Sequence, residues 1–164
     1  MHVKRVIFIL GFVLLLAACG DKDETANAEQ FDEDKTYTVG DTIKVNDLEF
    51  TLNKASFSKT DGLKDPVHGK VITIEASVKN KDRAEDLLVD NLDFEVTNAD
   101  GKAMDIYYGY DEKSIQGLLA KGESLKGKLF FDVDDSGKYE FTYKPATREN
   151  RVTLSYEIEL EVEE

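Results

Sequence analysis

Short runs of alternating apolar and polar residues fill most of the chain after residue 36, and this two-residue period limits the fold more than any other feature. The clearest run lies near the C-terminus, where polar residues separate the apolar Val152, Leu154, Tyr156, Ile158 and Leu160. Because successive side chains of a strand point to opposite faces of a sheet, this pattern predicts strands with one buried and one solvated face. No run has the period of a long amphipathic helix. The folded part is therefore predicted to be all-β.

Turn signals separate these runs, among them Asn98-Ala99-Asp100-Gly101 and Asp134-Asp135-Ser136-Gly137. A short helical turn is predicted at 114–119, although Gly117 weakens it. Short strands at this spacing are typical of a β-sandwich or barrel, and 164 residues leave room for one domain. The strands are predicted at 42–45, 48–57, 70–79, 93–97, 102–107, 124–132, 139–143 and 151–161.

The N-terminal segment has the three parts of an export signal: the basic Lys4 and Arg5, an apolar run over 6–16, and small residues before Cys19. The apolar stretch is shorter than the roughly 20 residues that a membrane span needs. Leu16-Ala17-Ala18-Cys19 resembles the lipobox of bacterial lipoproteins, in which a diacylglyceryl group is attached to the cysteine and the leader is cut just before it.

This resemblance implies a lipoprotein signal peptide at 1–18, an acidic flexible tether at 19–35 and a folded domain at 36–164. Cys19 would carry long acyl chains such as palmitate and hold the domain on the extracytoplasmic face of the cell membrane. Two alternatives stay open. The apolar run is a permanent transmembrane anchor, or Cys19 is an ordinary small residue or a reactive thiol.

Composition excludes several classes of function. The formal charge is −13, and loss of Lys4 and Arg5 with the leader would make it −15. So acidic a chain, without a basic cluster, is not expected to bind nucleic acid. Cys19 is the only cysteine, which excludes an internal disulfide and Cys-based metal sites. His68 alone would remain after cleavage, so only oxygen-ligand metal sites stay open, and no cofactor is predicted.

Four segments in a fixed order carry a family resemblance. They cover 37–43, 69–80, 98–102 and 119–133, and they include Gly40, Asn80 and Gly101. Together they resemble the domain of unknown function 4352 family, whose immunoglobulin-like domains are common in lipoproteins of Gram-positive bacteria. The family is similar in fold to a mycobacterial secreted immunoprotective antigen. The resemblance implies an immunoglobulin-like antiparallel β-sandwich in an extracytoplasmic setting, and it implies no catalytic residues.

Asp132, Asp134 and Asp135, followed by Ser136 and Gly137, resemble the first half of a calcium-binding EF-hand loop. The loop lacks the glutamate that should close it, because that place is Tyr143, and strands rather than helices flank it. A polar hairpin turn is the favoured interpretation. A weak calcium site using the three aspartates is the alternative.

His68 follows Asp65 closely enough for the two to pair as a general base, but no Gly-x-Ser-x-Gly nucleophile motif accompanies them. We therefore predict a solvated loop histidine and no enzyme activity. Tyr107, Tyr108 and Tyr110 form the one cluster that favours a partner-contact surface, since tyrosine offers large amphipathic area. Half-buried tyrosines at a strand end are the alternative.

These features favour a membrane-anchored lipoprotein that displays a non-enzymatic immunoglobulin-like domain to an unknown protein or envelope ligand. An accessory subunit of an envelope transporter or sensor is the second hypothesis. A small envelope hydrolase or a calcium-binding protein is the third.

Replacing Cys19 with Ser tests the anchor. The serine hydroxyl cannot form the thioether, so the variant should lose the lipid and should not be processed as a lipoprotein. Mass spectrometry of the native protein should show two acyl chains on Cys19, and the serine variant should show none. Unchanged membrane retention of the variant would contradict the lipid anchor.

Overall fold

Twelve strands and one short 3-10 turn form the regular structure of the computed structural model, which describes residues 28–58, 64–110, 112, 114–145 and 152–160. Within these residues, no helix is long and apolar enough to cross a bilayer. The 3-10 turn is Asn91–Asp93. The strands are β1 (Glu29–Gln30), β2 (Tyr37–Thr38), β3 (Thr42–Val45), β4 (Leu48–Phe57), β5 (Lys70–Asn80), β6 (Leu87–Val89), β7 (Phe94–Asn98), β8 (Asp105–Ile106), β9 (Gly117–Leu119), β10 (Ser124–Val133), β11 (Lys138–Tyr143) and β12 (Leu154–Glu159).

The strands form two layers and a ribbon. One layer is a six-stranded sheet in the order β1-β3-β4-β5-β10-β8, and the other is a four-stranded sheet in the order β2-β12-β11-β7. Strands β6 and β9 form a separate two-stranded ribbon. Pairing is antiparallel except between β1 and β3 and between β2 and β12. The predicted all-β sandwich is confirmed.

Aromatic rings join the two layers. Phe50, from the six-stranded sheet, is fully buried, and its ring centroid lies 4.6 Å from that of Tyr143 and 5.6 Å from that of Tyr156 in the four-stranded sheet. Phe94 of the four-stranded sheet lies 6.2 Å from Phe50 and stacks on its sheet neighbour Tyr143 at 4.7 Å. Ring pairs at these separations stabilise a fold by more than the burial of their apolar area alone. The aromatic centre of the core therefore lies where the inward faces of β4, β7, β11 and β12 meet, and buried residues of β3, β5 and β10 extend the core.

Alternation of apolar and polar residues explains which face is buried in most of these strands. In β5, Ile72, Ile74, Ala76 and Val78 are buried, and the residues between them are less so. The end of β10 differs, because Leu129 to Val133 are all buried. A strand buried on both faces has a continuous apolar run instead of an alternating one. Something must therefore cover the outer face of β10 at this end.

The predicted helical turn at 114–119 is wrong. Gly117–Leu119 is strand β9, which pairs with Leu87–Val89. The segment before it packs closely on β10, where a Cβ added to Gly127 would lie 2.9 Å from the Cβ of Ile115. Pairing with a segment distant in sequence therefore overrides the weak local helical preference.

The predicted strand at 102–107 is largely wrong as well. The Met104 N–H donates to the Val96 carbonyl at 2.8 Å, whereas the Tyr107 N–H donates to the Phe130 carbonyl at 2.8 Å. Val96 belongs to the four-stranded sheet and Phe130 to the six-stranded one. The segment thus crosses from one layer to the other, and only Asp105–Ile106 keeps strand geometry.

The domain also begins earlier than predicted, inside the expected tether of 19–35. Glu29 and Gln30 pair with Ile43 and Lys44 of β3, and Phe31 packs against the core. The predicted signal peptide, Cys19 and the first part of the tether lie outside the described residues.

Two buried tyrosines make a matched test of hydroxyl pairing in this core. The Tyr37 hydroxyl accepts from the Asp32 N–H at 2.8 Å, whereas the Tyr143 hydroxyl has no hydrogen-bond partner among the described residues. Tyr143→Phe should therefore leave the free energy of unfolding unchanged or raise it by up to about 1 kcal/mol, and Tyr37→Phe should lower it by about 1 kcal/mol. Urea unfolding measures both. An equal loss in the two variants would contradict this assignment of partners.

Candidate functional site

A groove of about 560 Å³ opens between the loop before β5, the segment that crosses between the sheets, and the adjoining edges of β7 and β10. It brings together Tyr107, Tyr108 and Asp132, which the sequence points to separately. We call it the tyrosine groove. Its lining comprises Lys64, Asp65, Val67, Phe94, Glu95, Ala103, Met104, Asp105, Ile106, Tyr107, Tyr108, Phe131 and Asp132.

Tyr107 and Tyr110 are largely structural. Tyr107 is buried, and its hydroxyl donates to the Lys64 carbonyl. The Tyr110 ring lies 5.3 Å from that of Tyr107 and 4.7 Å from that of Phe130. With Val71, these rings form a satellite cluster on the outer face of the six-stranded sheet. This cluster is part of what covers the end of β10.

A tight backbone approach allows this arrangement. Gly109 is buried, and a Cβ at this position would collide with the hydroxyl end of the Tyr107 side chain. The chain can therefore turn back over its own tyrosine only with glycine here. Tyr108, on the other side of the turn, is left facing outward.

The exposed large hydrophobic residues of the groove lining are Tyr108 and Val67. They are 72% and 76% exposed, which is high for large apolar side chains. The two residues come from different loops, and the hydrogen bond from the Tyr107 hydroxyl to the Lys64 carbonyl joins those loops. Of the three tyrosines predicted as a possible contact surface, Tyr107 is buried, Tyr110 is half-buried and Tyr108 is exposed, and Tyr108 shares the groove lining with Val67.

Asp132 has a role that sequence reasoning missed. Its carboxylate is buried and accepts the backbone N–H groups of Val67 and, at 2.8 Å, His68. Hydrogen bonds to an ionised acceptor are stronger than those between neutral groups. Asp132 thus ties the loop before β5 to the end of β10. The one available signal was an acidic residue inside the apolar run Leu129 to Val133.

The other two aspartates of the calcium candidate have separate partners. Asp134 accepts from the Asn98 side-chain amide at 2.6 Å, and this hydrogen bond is the main reason why the pKa of Asp134 lies below its usual value. Asp135 forms an ion pair with Lys70 at 2.5 Å. In the part of the chain that the structure describes, no three His, Cys, Asp or Glu side chains are grouped to hold a metal ion.

His68, which was predicted to be a solvated loop histidine, lies near a carboxylate other than Asp65. Its Nε2 lies 3.7 Å from Oδ2 of Asp105, and Asp105 is mostly exposed. An exposed pair at this distance contributes little. The pairing with Asp65 that the sequence allowed but did not favour does not occur among the ion pairs of the described residues, and the His68 side chain is partly exposed.

Charge around the groove is mainly negative. Asp65, Glu95 and Asp105 line it beside a single lysine, Lys64, while the Asp132 carboxylate is engaged by backbone amides. An acidic rim attracts cationic groups and repels anions. The groove therefore combines exposed apolar area with an anionic border.

The layers, their register and the crossing segment define an immunoglobulin-like β-sandwich domain. Residues 37–152 match the family model described as domain of unknown function (DUF4352), and the chain belongs to this family. The predicted resemblance is thereby confirmed.

Relatives agree with this assignment. The chain is 29% identical over 142 residues to the uncharacterized lipoprotein YcdA of Bacillus subtilis, covering 85% of this chain but only 38% of YcdA. The crystal structure of YcdA superposes with a TM-score of 0.59 at 25% identity, over 76% of this chain and 39% of that one. This chain thus spans about two fifths of the length of that relative.

Two smaller proteins share the fold. The YjhA protein of Bacillus subtilis gives a TM-score of 0.60 at 18% identity, covering 76% of this chain and all of YjhA. The secreted protein MPT63 of Mycobacterium tuberculosis gives 0.51 at 18% identity, covering 82% and 99%. At these identities the likeness concerns the fold alone.

Substitution of Asp132 tests its role in fixing the groove. Asp132→Ala should lower the free energy of unfolding by about 1–3 kcal/mol, because two amides lose their acceptor. Hydrogen exchange at the Val67 and His68 amides should quicken. Asp132→Asn should also destabilise the loop, because its NH2 group replaces one of the two acceptor oxygens and faces an N–H donor.

The control is Asp135→Ala: among the described residues Asp135 forms an ion pair with Lys70, the aspartate is largely exposed, and the pair should contribute no more than about 1 kcal/mol. Equal stability of the Asp132 and Asp135 variants would show that the buried carboxylate does not hold the loop.

Proposed function

We propose that this chain is a lipoprotein anchored at Cys19 on the extracytoplasmic face of the cell membrane, and that its β-sandwich binds a partner through the tyrosine groove without catalysing a reaction. The observation that carries the binding role is the outward exposure of Tyr108 and Val67 on a frame that buried contacts hold in place. The family assignment and the lipoprotein relative support the setting.

Anchoring by a diacylated cysteine is strong enough for permanent display. At about 0.8 kcal/mol per buried methylene, two long chains give on the order of 20 kcal/mol of membrane attachment. The chain between Cys19 and Ala28 could extend about 30 Å at most, since an extended residue adds about 3.3–3.6 Å. The domain would therefore work close to the membrane surface.

The surface favours a partner with apolar and cationic groups. Tyrosine supplies large contact area with few rotatable bonds, and such residues are enriched in interfaces. The rim carboxylates Asp65, Glu95 and Asp105 would attract basic side chains or amino groups. A basic protein segment or an amino-bearing envelope polymer fits this description, and an anionic headgroup or nucleic acid does not.

The alternatives receive less support. An accessory subunit of an envelope transporter or sensor would use the same groove, with the larger assembly as its partner. A hydrolase needs a nucleophile and a base in one cleft, whereas His68 pairs with the exposed Asp105. A calcium-binding role would need Asp132, Asp134 and Asp135 to release their present partners.

Photo-crosslinking in intact cells tests the binding role. A photoreactive amino acid at position 108 should capture a specific partner, and Tyr108→Ala should weaken binding of that partner on the order of tenfold or more while stability stays unchanged. Leu92 is the matched control, because it is similarly exposed and lies outside the groove lining. Equal capture from positions 92 and 108, or unchanged binding of Tyr108→Ala, would contradict the proposed groove.

A further inference from the structure

The tyrosine groove begins where a strand ladder stops. β7 and the segment that crosses between the sheets start as an ordinary antiparallel pair, because Thr97 bridges Ala103 and the Met104 N–H donates to the Val96 carbonyl at 2.8 Å. In such a ladder the hydrogen-bonded pairs recur at every second residue of each strand. The pairing therefore has a defined next position on both strands.

That next pair would join Phe94 to Ile106, and it does not form. Within the described part of the chain, β7 and β8 belong to different sheets and are not hydrogen-bonded neighbours. Phe94 and Ile106 both line the tyrosine groove. The groove thus opens between two backbones whose shared ladder has split.

The backbone of Ile106 points away from β10. The next residue, Tyr107, donates its N–H to the Phe130 carbonyl of β10 at 2.8 Å. Because the peptide groups of successive strand residues point to opposite sides, the N–H and C=O of Ile106 lie on the side away from β10. β8 is the last strand of its sheet, so this side is an open edge. Such an edge is a template for pairing with another chain.

β7 contributes a further acceptor to the groove. The Phe94 N–H is engaged, because it donates to the Asn91 carbonyl. The Phe94 carbonyl points to the same side of β7 as the carbonyl of Val96, which accepts from Met104. An extended segment in the groove would therefore meet a donor and an acceptor on β8 and an acceptor on β7.

We propose that the tyrosine groove binds an extended protein segment, which pairs with the open edge of β8 and alternates apolar and basic side chains. This inference rests on the binding role proposed for the groove and names the kind of partner. Recognition by strand addition takes its affinity from backbone hydrogen bonds and its specificity from alternate side chains. A polysaccharide with amino groups would meet the charges of the rim, but it has no row of peptide groups to pair with β8.

The alternation follows from the two faces of β8. Ile106 packs against the core, whereas the Asp105 side chain is mostly exposed. Side chains of a strand beside β8 would alternate between the same two faces. On the inner face they would meet the apolar lining at Met104, and on the outer face the carboxylate of Asp105, with Asp65 in the same lining. Apolar residues suit the first face, and lysine or arginine suits the second.

A capped hexapeptide of alternating valine and lysine is the probe. Added to the purified full-length chain labelled with ¹⁵N, it should shift the Ile106 amide resonance saturably and slow the hydrogen exchange of that amide. It should bind about tenfold more tightly than a peptide of alternating valine and glutamate. N-methylation of the probe keeps its side chains and charges but removes its backbone donors, and it should weaken binding by about tenfold or more. Equal binding of the methylated probe, or no saturable shift at Ile106, overturns the strand pairing.

The binding role of the groove is judged separately, by crosslinking from position 108 and by Tyr108→Ala. Loss of the cellular partner in Tyr108→Ala, together with normal binding of the methylated probe, would keep the groove as a binding site and overturn the strand pairing alone.

Ile106→Pro tests the edge from the side of the protein. Proline removes the N–H that faces the groove and is tolerated on edge strands, while the bond from Tyr107 to β10 stays. The variant should bind the probe about tenfold more weakly. Asp105→Asn should lose several-fold in affinity, because one rim charge is gone. Glu140→Gln is the matched control and should change nothing, because Glu140 is exposed on β11 outside the groove lining.

Full affinity in a folded Ile106→Pro variant, or equal affinities in the Asp105 and Glu140 variants, would overturn the proposal. If Ile106→Pro fails to fold, the methylated probe decides the question on the unaltered chain.

Discussion

Packing of aromatic rings between the two layers is the interaction on which the rest of this structure depends. The only cysteine, Cys19, precedes the described residues, so no disulfide ties the layers together. Phe50 instead contacts rings from β7, β11 and β12, and each of these strands is in turn held by its sheet. A sandwich that relies on burial alone must keep its inward faces apolar along every strand. That requirement explains the alternation of apolar and polar residues in most strands. It also explains why the polar contacts of the tyrosine groove come from loops and strand edges.

The tyrosine groove arises because one segment leaves one sheet and joins the other. Between Met104 and Tyr107 the chain crosses the open side of the sandwich, and the loop before β5 comes to lie beside it. Buried polar contacts then fix the two loops: Asp132 accepts backbone amides, and the Tyr107 hydroxyl donates to the Lys64 carbonyl. Rigid support beneath an exposed tyrosine lowers the conformational entropy lost on binding. The same contacts therefore stabilise the fold and restrict the motion of the loops around Tyr108.

Local sequence was sufficient for most of the long strands, because each of β3, β4, β5 and β12 carries enough alternation to identify its buried face. The all-β class and the family motifs could likewise be recognised without coordinates. The short elements could not, since β1, β8 and β9 are only two or three residues long and owe their geometry to pairing with distant strands. For the same reason, the sequence does not distinguish which of the closely spaced Tyr107, Tyr108 and Tyr110 is buried. Only the fold made Tyr107 a buried donor and left Tyr108 exposed, because burial depends on which loops pack above a residue, and a two-residue period says nothing about that.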